Sequence, residues 1–315
     1  MSAETGEREG TAGAEPNSEG SSGTGASGAT DRWTVLRLIR WSAEYLQGKG
    51  IEQGRLDAEH LLAHSLDVGR LQLYLQFDRP LVPEELDRFR PLLRRRAARE
   101  PLQHVIGRTA FRDLEIRTDA RALIPRPETE LLVQLVLDWA RGRGALVAAD
   151  VGTGTGCIAL ALATEGPFER VWGIDISSDA LDLARENALT LDPLERVAWR
   201  QGHGVRPIAD VQVDVVVSNP PYVARGEADA LQPEVRDFEP DLALYAGDEG
   251  REMLHELVRE APDVLRTGGL IALEVGLGQA DAIRDTFLAQ RAWEEVAVHR
   301  DYTGRERFLT AVLRD

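Results

Sequence analysis

The feature that most constrains the fold is the alternation of strand-like and helix-like segments that begins at Ala145. "ALVAADVG" reads as a buried strand, Cys157 to Thr164 as a helix and "RVWGIDI" as the next strand. Ala180 to Leu189 reads as a helix, "VDVVVSN" as a strand, Arg251 to Leu265 as a helix, "LIALEVG" as a strand and Gln279 to Leu288 as a helix. Two strand candidates, "WEEVAVHR" and "ERFLTAVL", close the chain. Strands joined by helical crossovers pair in parallel and, covered on both faces, become near-continuous apolar runs. The alternation predicts an α/β fold: a mostly parallel sheet with helices on both faces.

The rest of the chain differs in kind. Residues 1–30 contain no Val, Ile, Leu or aromatic residue. Such a segment buries too little apolar surface to offset its ordering entropy, so a disordered tail is expected. Residues 31–100 read as a small helical domain. One helix opens at Trp33, Leu36, Ile39 and Arg40 and ends near Gly48 and Gly50; a second runs from about Asp57; a third follows Pro83 and is bent or interrupted at Pro91. Residues 101–118 read as a β-hairpin linker, alternating from Gln103 to Arg117 with Gly107 and Asp113 as turn positions. Residues 119–315 carry the α/β pattern.

Composition excludes several classes. No apolar run approaches the roughly 18 residues of a membrane span. The first residues lack the basic and apolar regions of a secretory signal, so a soluble cytoplasmic protein is expected. Cys157 is the only cysteine, which rules out an internal disulfide and a cysteine zinc cage. His60 and His64 lie four apart on an expected helix without an evident third ligand, so no metal is expected. The formal charge is −16, which disfavours nucleic acid as a default partner. It divides unevenly: −4 over 1–30, +3 over 31–118 and −15 over 119–315. Six arginines between Arg88 and Arg99 form either a solvated helix face or a docking surface for an acidic partner or RNA. Lys49 is the only lysine against 36 arginines, a bias that GC-rich coding or adaptation to high salt would each produce.

Three segments carry chemistry, each at the carboxyl end of an expected strand, where open α/β sheets bind ligands. The first is "DVGTGTG", Asp150 to Gly156. Glycines at 152, 154 and 156 permit a sharp turn and close approach to a ligand, and the helix start beyond offers free N–H groups. The spacing is neither a dinucleotide fingerprint, because Cys157 stands where a glycine belongs, nor a P-loop. The second is Asp175, whose carboxylate can accept both hydroxyls of a ribose. The third is "SNPPY", Ser218 to Tyr222. Consecutive prolines stiffen this corner and remove two N–H donors. Asn219 Oδ1 and the Pro220 carbonyl can each accept one hydrogen of an –NH₂ group, with Pro221 fixing the bend and Tyr222 covering the planar group. An amide or exocyclic amine is a weak nucleophile, and holding both its N–H bonds favours a pyramidal nitrogen aimed at an electrophile.

These segments resemble the class I S-adenosylmethionine methyltransferases that act on planar amino groups. More narrowly, the chain is similar to the HemK-like release-factor glutamine methyltransferases from about residue 31 to 315. "DAEHLLAHSL", "PLQHVIG", "LIPRPETELLV", "DVGTGTGCIALALA", "EPDLALYAGDEG", "LEVGLGQ" and "DYTGRERF" carry the likeness beside "NPPY". The resemblance implies a Rossmann-like, mostly parallel seven-stranded sheet with a small N-terminal helical domain. It also implies methylation of N5 of the glutamine in the Gly-Gly-Gln motif of peptide chain release factors 1 and 2, gripped by the helical domain. S-adenosylmethionine would be the donor, with no metal. Gly152, Thr153, Gly154, Thr155 and Gly156 would hold its methionine part and Asp175 its ribose. Asn219, Pro220, Pro221 and Tyr222 would hold the substrate amide, Asn219 also facing the donor. Arg126 and Glu128 would line the donor pocket or form a local salt bridge. Where the family often has an Asp-Trp pair near the adenine, this chain has His203 and Gly204, with His203 or Trp199 as possible substitutes. Cys157 reads as packing behind the glycine loop. The alternatives are a nucleic-acid methyltransferase acting on adenine N6 or guanine N2, and an inactive binding scaffold.

Overall fold

The computed structural model describes residues 32–192 and 194–315; the expected tail, residues 1–30, lies outside the described residues. Five helices come first: α1 (Val35–Gly48), α2 (Gly54–Leu66), α3 (Arg70–Leu75), α4 (Pro83–Ala97) and α5 (Leu102–Ile106). α1 starts where the Thr34 side chain accepts from Arg37 N, and it buries Val35, Leu38, Ile39 and Leu46. These side chains join Leu61, Leu62, Phe89 and Leu93 in one apolar cluster. A two-stranded hairpin follows, β1 (Arg108–Phe111) paired antiparallel with β2 (Leu114–Arg117).

The remainder is a seven-stranded sheet with flanking helices. In chain order it comprises α6 (Thr129–Ala140), β3 (Leu146–Val151), α7 (Cys157–Glu165), β4 (Phe168–Asp175), α8 (Ser178–Leu191), β5 (Val197–Gln201) and β6 (Val213–Ser218). The short helices α9 (Pro233–Arg236) and α10 (Asp241–Leu244) follow, then α11 (Glu252–Glu260), β7 (Leu265–Glu274), α12 (Ala280–Ala289), β8 (Trp293–Arg300) and β9 (Glu306–Leu313). Strand order is β5-β4-β3-β6-β7-β9-β8. The first five strands in this order are parallel, and β9 runs antiparallel to both β7 and β8. One apolar cluster, including Leu132, Val136, Leu160 and Phe168, forms a core with α6 and α7. Another, including Leu254, Leu257, Ile283 and Phe287, forms one with α11 and α12. The expected α/β fold with helices on both faces is the observed one.

The order of strand addition reverses at β3: the chain builds out to β4 and β5 on one side and then returns to place β6 on the other. Val151, the last residue of β3, pairs with Ile174 and with Ser218. The Ser218 hydroxyl donates to the Val151 carbonyl at 2.6 Å. The loops that start at Gly152, Asp175 and Asn219 therefore leave the sheet side by side, at the crevice where such sheets bind ligands.

Several sequence expectations need correction. Pro91 does not interrupt α4, which runs on through it with Phe89, Leu93 and Arg96 buried. Residues 102–106 are helical, so the hairpin begins at Arg108 and turns at Arg112 and Asp113; Gly107 is instead the left-handed C-cap of α5 at φ +82°. The helix expected over Arg251 to Leu265 ends as α-helix at Glu260, and β7 begins already at Leu265. α6 has no counterpart among the expected elements, because its apolar run is too continuous to show a helical face.

Candidate active site

Three glycines shape the loop after β3, with φ of +71° at Gly152, +54° at Gly154 and +81° at Gly156, all in the left-handed region. Gly152 N and Thr153 N both donate to the Ile174 carbonyl, and this pins the loop to the end of β4. Asp150 braces it from beneath: its Oδ2 accepts from the Thr153 hydroxyl at 2.6 Å and from Ala159 N at 3.1 Å. Burial pushes the Asp150 carboxyl up to about 7. Asn187 on α8 ties the hairpin to the same loop, donating to the Thr155 carbonyl and accepting from Arg117 N.

Asp175 ends β4. Its Oδ2 accepts from Gly154 N and its Oδ1 from Ser177 N, both at 2.9 Å. Burial raises its pKa against these hydrogen bonds. A carboxylate offers about four lone-pair positions, so two remain for a diol.

The loop borders a cavity of about 360 Å³. Gly152, Thr153, Gly154, Thr155, Asp175, Asn219 and Pro221 line it, as do Arg126, Thr129, Cys157 and His203. Gly156, Pro220 and Tyr222 do not. Gly156 is the N-cap of α7, closely backed by Ala184 and the Trp199 ring. Pro220 is buried. Tyr222 turns toward the sheet, and its ring is faced by the Arg307 guanidinium at 5.4 Å. Glu128 precedes α6 and is also absent from the lining, whereas Arg126 pairs with the buried Glu239 at 2.7 Å. Arg126 thus lines the cavity and forms a salt bridge, with a partner 113 residues away.

The Asn219 amide is held at one end only. Its Nδ2 donates to Thr129 Oγ1 at 3.0 Å, while its buried Oδ1 has no hydrogen-bond partner among the described residues. Thr129 Oγ1 in turn donates to Glu274 Oε2 at 2.7 Å. Glu274 ends β7 with its side chain fully buried. Its other oxygen faces the Tyr222 hydroxyl at 3.5 Å and Arg307 at 3.7 Å. Burial pushes Glu274 up to about 7. Sequence reasoning missed both Thr129 and Glu274, although a lone carboxylate in the apolar run "LIALEVG" was a usable signal.

On the far side, Gly202, His203 and Gly204 line the cavity. His203 Nε2 lies 2.7 Å from Glu256 Oε2, and Arg206 also bonds Glu256. Trp199 is not there: its ring packs over Gly173, where a Cβ would come within 2.3 Å of it. Cys157 is buried in the core behind the loop, its thiol pushed up to about 12 by burial. His60 sits against Arg70, and among the described residues no group of three or more metal-ligating side chains occurs. Among them, too, no helix is long and apolar enough to cross a membrane.

The Methyltransferase small domain family model matches residues 127–234. A solved methyltransferase from Pyrococcus furiosus superposes with a TM-score of 0.50 at 21% identity, over 65% of this chain and 92% of that one. The sheet order and the positions of the three loops are those of a class I methyltransferase. Residues 37–107 match the PrmC N-terminal domain model. A release factor glutamine methyltransferase from Geobacter sulfurreducens is 41% identical over 255 residues, covering 81% of this chain and 88% of that protein. Its counterpart from Rhodopirellula baltica is 38% identical over 287 residues, covering 88% and 96%. The chain belongs to the release factor glutamine methyltransferase family and is an enzyme.

Proposed function

We propose that this enzyme transfers a methyl group from S-adenosylmethionine to N5 of the glutamine in the Gly-Gly-Gln motif of peptide chain release factors 1 and 2, in the cytoplasm. We take residues 31–100 as the part that grips the release factor, 101–118 as the linker and 119–315 as the transfer domain. The observation that carries this reading is the buried, unpartnered Asn219 Oδ1 in the wall of the cavity that the glycine loop and Asp175 share. A buried acceptor without a donor is costly, and a substrate amide N–H supplies the donor.

The residues present fit the donor. The left-handed Gly152 and Gly154 bring the backbone to the cavity with no Cβ of their own, and Asp175 keeps lone pairs for two hydroxyls. Bound there, S-adenosylmethionine supplies a methyl on a positively charged sulfur, electrophilic without a metal. Asn219 Oδ1 takes one hydrogen of the glutamine amide at the cavity wall, and the carbonyl of Pro220, a buried residue outside the cavity lining, is assigned the other. Holding both N–H bonds favours a pyramidal nitrogen, which weakens conjugation of its lone pair with the carbonyl and fixes its direction. N5 gains the methyl carbon as the sulfur–methyl bond breaks, which leaves a neutral thioether; N5 gives up one proton to solvent, and no side chain of the enzyme is covalently changed. Tyr222 stiffens the corner from the sheet side.

The test mixes the enzyme and labelled S-adenosylmethionine with release factor, a release factor whose motif glutamine is replaced by alanine, RNA or DNA. Label is expected on the intact release factor alone. Asn219→Ala should lower turnover by roughly 10²-fold or more, as for other lost positioning groups. Label on nucleic acid would restore the alternative reading, which family membership and the −15 charge of residues 119–315 oppose.

A further inference from the structure

We propose that Thr129 is a positioning residue that sets which end of the Asn219 amide faces the cavity, with Glu274 fixing the direction of its hydroxyl. This rests on the proposed reaction and names a residue that reaction needs. A carboxamide is nearly symmetrical in shape, and only its hydrogen-bond partners distinguish oxygen from nitrogen. Among the described residues the Asn219 amide has one such partner, Thr129 Oγ1, 3.0 Å from Nδ2. A hydroxyl has a single hydrogen. Here that hydrogen is committed to Glu274 Oε2 at 2.7 Å, and above about pH 7, where that carboxyl is ionised, it can only accept. Thr129 therefore meets Asn219 as an acceptor. The nitrogen must face Thr129 and the oxygen must face the cavity. Flipping the amide would set its oxygen against the hydroxyl oxygen with no hydrogen between them.

The anchor is built to hold. Thr129 is the first residue of α6, buried at 2% exposure, and Glu274 sits on β7 with its side chain fully enclosed. The charged and titratable groups around Glu274 are Arg307 on β9, Tyr222 after β6 and Glu128 just before α6. Arg307 favours the ionised carboxylate, and Glu128 opposes it. An amide turned the wrong way would present N–H groups to a substrate that also offers N–H groups. Binding would then lose its partner at the reacting nitrogen, while the donor cradle and Asp175 stayed intact.

The discriminating variants are Thr129→Val, which keeps shape and removes the hydroxyl, and Thr129→Ser, which keeps the hydroxyl and removes the methyl. Steady-state rates with release factor are measured alongside direct binding of S-adenosylmethionine, at about pH 8 where Glu274 is ionised. Thr129→Val should lose on the order of 10- to 100-fold in kcat, with donor affinity within about twofold of wild type. Thr129→Ser should recover most of the rate. Full activity in Thr129→Val overturns the proposal, and so does Thr129→Ser falling as low as Thr129→Val, because packing and not hydrogen-bond direction would then be the requirement. A wild-type enzyme that leaves the release factor unlabelled sinks the proposed reaction instead, a result distinct from either.

Discussion

At the residue scale, the site places two carboxyl groups where water does not reach. Asp150 and Glu274 are both pushed up to about 7, chiefly by burial. The consequence for stability has a definite sign. In the unfolded chain Asp150 ionises near 3.8 and Glu274 near 4.5, so between those values and about 7 the native protein keeps protons that the unfolded chain has released. Stability contributed by each group therefore falls as pH rises across its window and levels off above it. The difference amounts to about 3 kcal/mol for Glu274 at the upper end. Glu274→Gln, a neutral isostere, should raise the urea midpoint relative to wild type at about pH 8 and leave it nearly unchanged near pH 4.5. Equal pH profiles for the two proteins would show that Glu274 titrates normally. Asn219 and Pro221, which line the cavity, could be singled out in the sequence because neighbours in the chain define them. Thr129 and Glu274 were not, since 90 and 145 residues separate the linked pairs and no periodicity marks such a contact.

At the element scale, α4 joins parts of the molecule that its sequence does not connect. Its arginines read as an open basic stripe, yet much of the stripe is turned to internal use. Arg95 bonds Glu100 and the carbonyls of His104 and Val105. Arg96 is 7% exposed and bonds Asp57 of α2 at 2.7 Å and Glu234 of α9 at 3.0 Å. Arg99 adds a second bond to Glu234. Spacing revealed the positive charge but not its partners, one of which lies 138 residues away. The same limit explains the short elements: "HVI" has strand-like propensity, but Pro101 and a left-handed Gly107 bracket a five-residue helix. Removing the Arg96 side chain strands Asp57 and leaves Glu234 with Arg99 alone. Arg96→Ala should therefore destabilise by about 3–5 kcal/mol, against about 1 kcal/mol for the more exposed Arg99→Ala, by urea denaturation. Burial works against the Glu234 carboxylate, but hydrogen bonds from its own N–H, Arg99 and Arg96 outweigh it and lower its pKa. Its contribution is accordingly complete above the normal carboxylate range and lost on acidification below it. The gap between Arg96→Ala and wild type should narrow in acid; a gap that stays constant would place the stabilisation in packing alone.

At the scale of the whole molecule, charge and architecture pull against each other. The formal charge is −16, and residues 119–315 alone carry −15. Exposed ion pairs such as Arg185 with Asp182 or Arg141 with Asp138 each contribute about 0–1 kcal/mol, and salt removes most of that. The Arg96 and Glu234 pair is buried and resists screening. Self-repulsion among the excess carboxylates acts over the whole surface, and at about 0.1 M salt it is already cut off beyond roughly 10 Å. Added salt therefore costs the molecule its weakest attractions and relieves a larger, collective repulsion. Tm should rise by a few degrees from low salt to about molar KCl, followed by calorimetry on the full chain. Arginine in place of lysine fits the same balance, because its planar fork keeps paired contacts with carboxylates that a lysine ammonium would make singly. A Tm that stays flat or falls would mean that the local pairs outweigh the net charge, and that the acidic surface contributes nothing to endurance in salt.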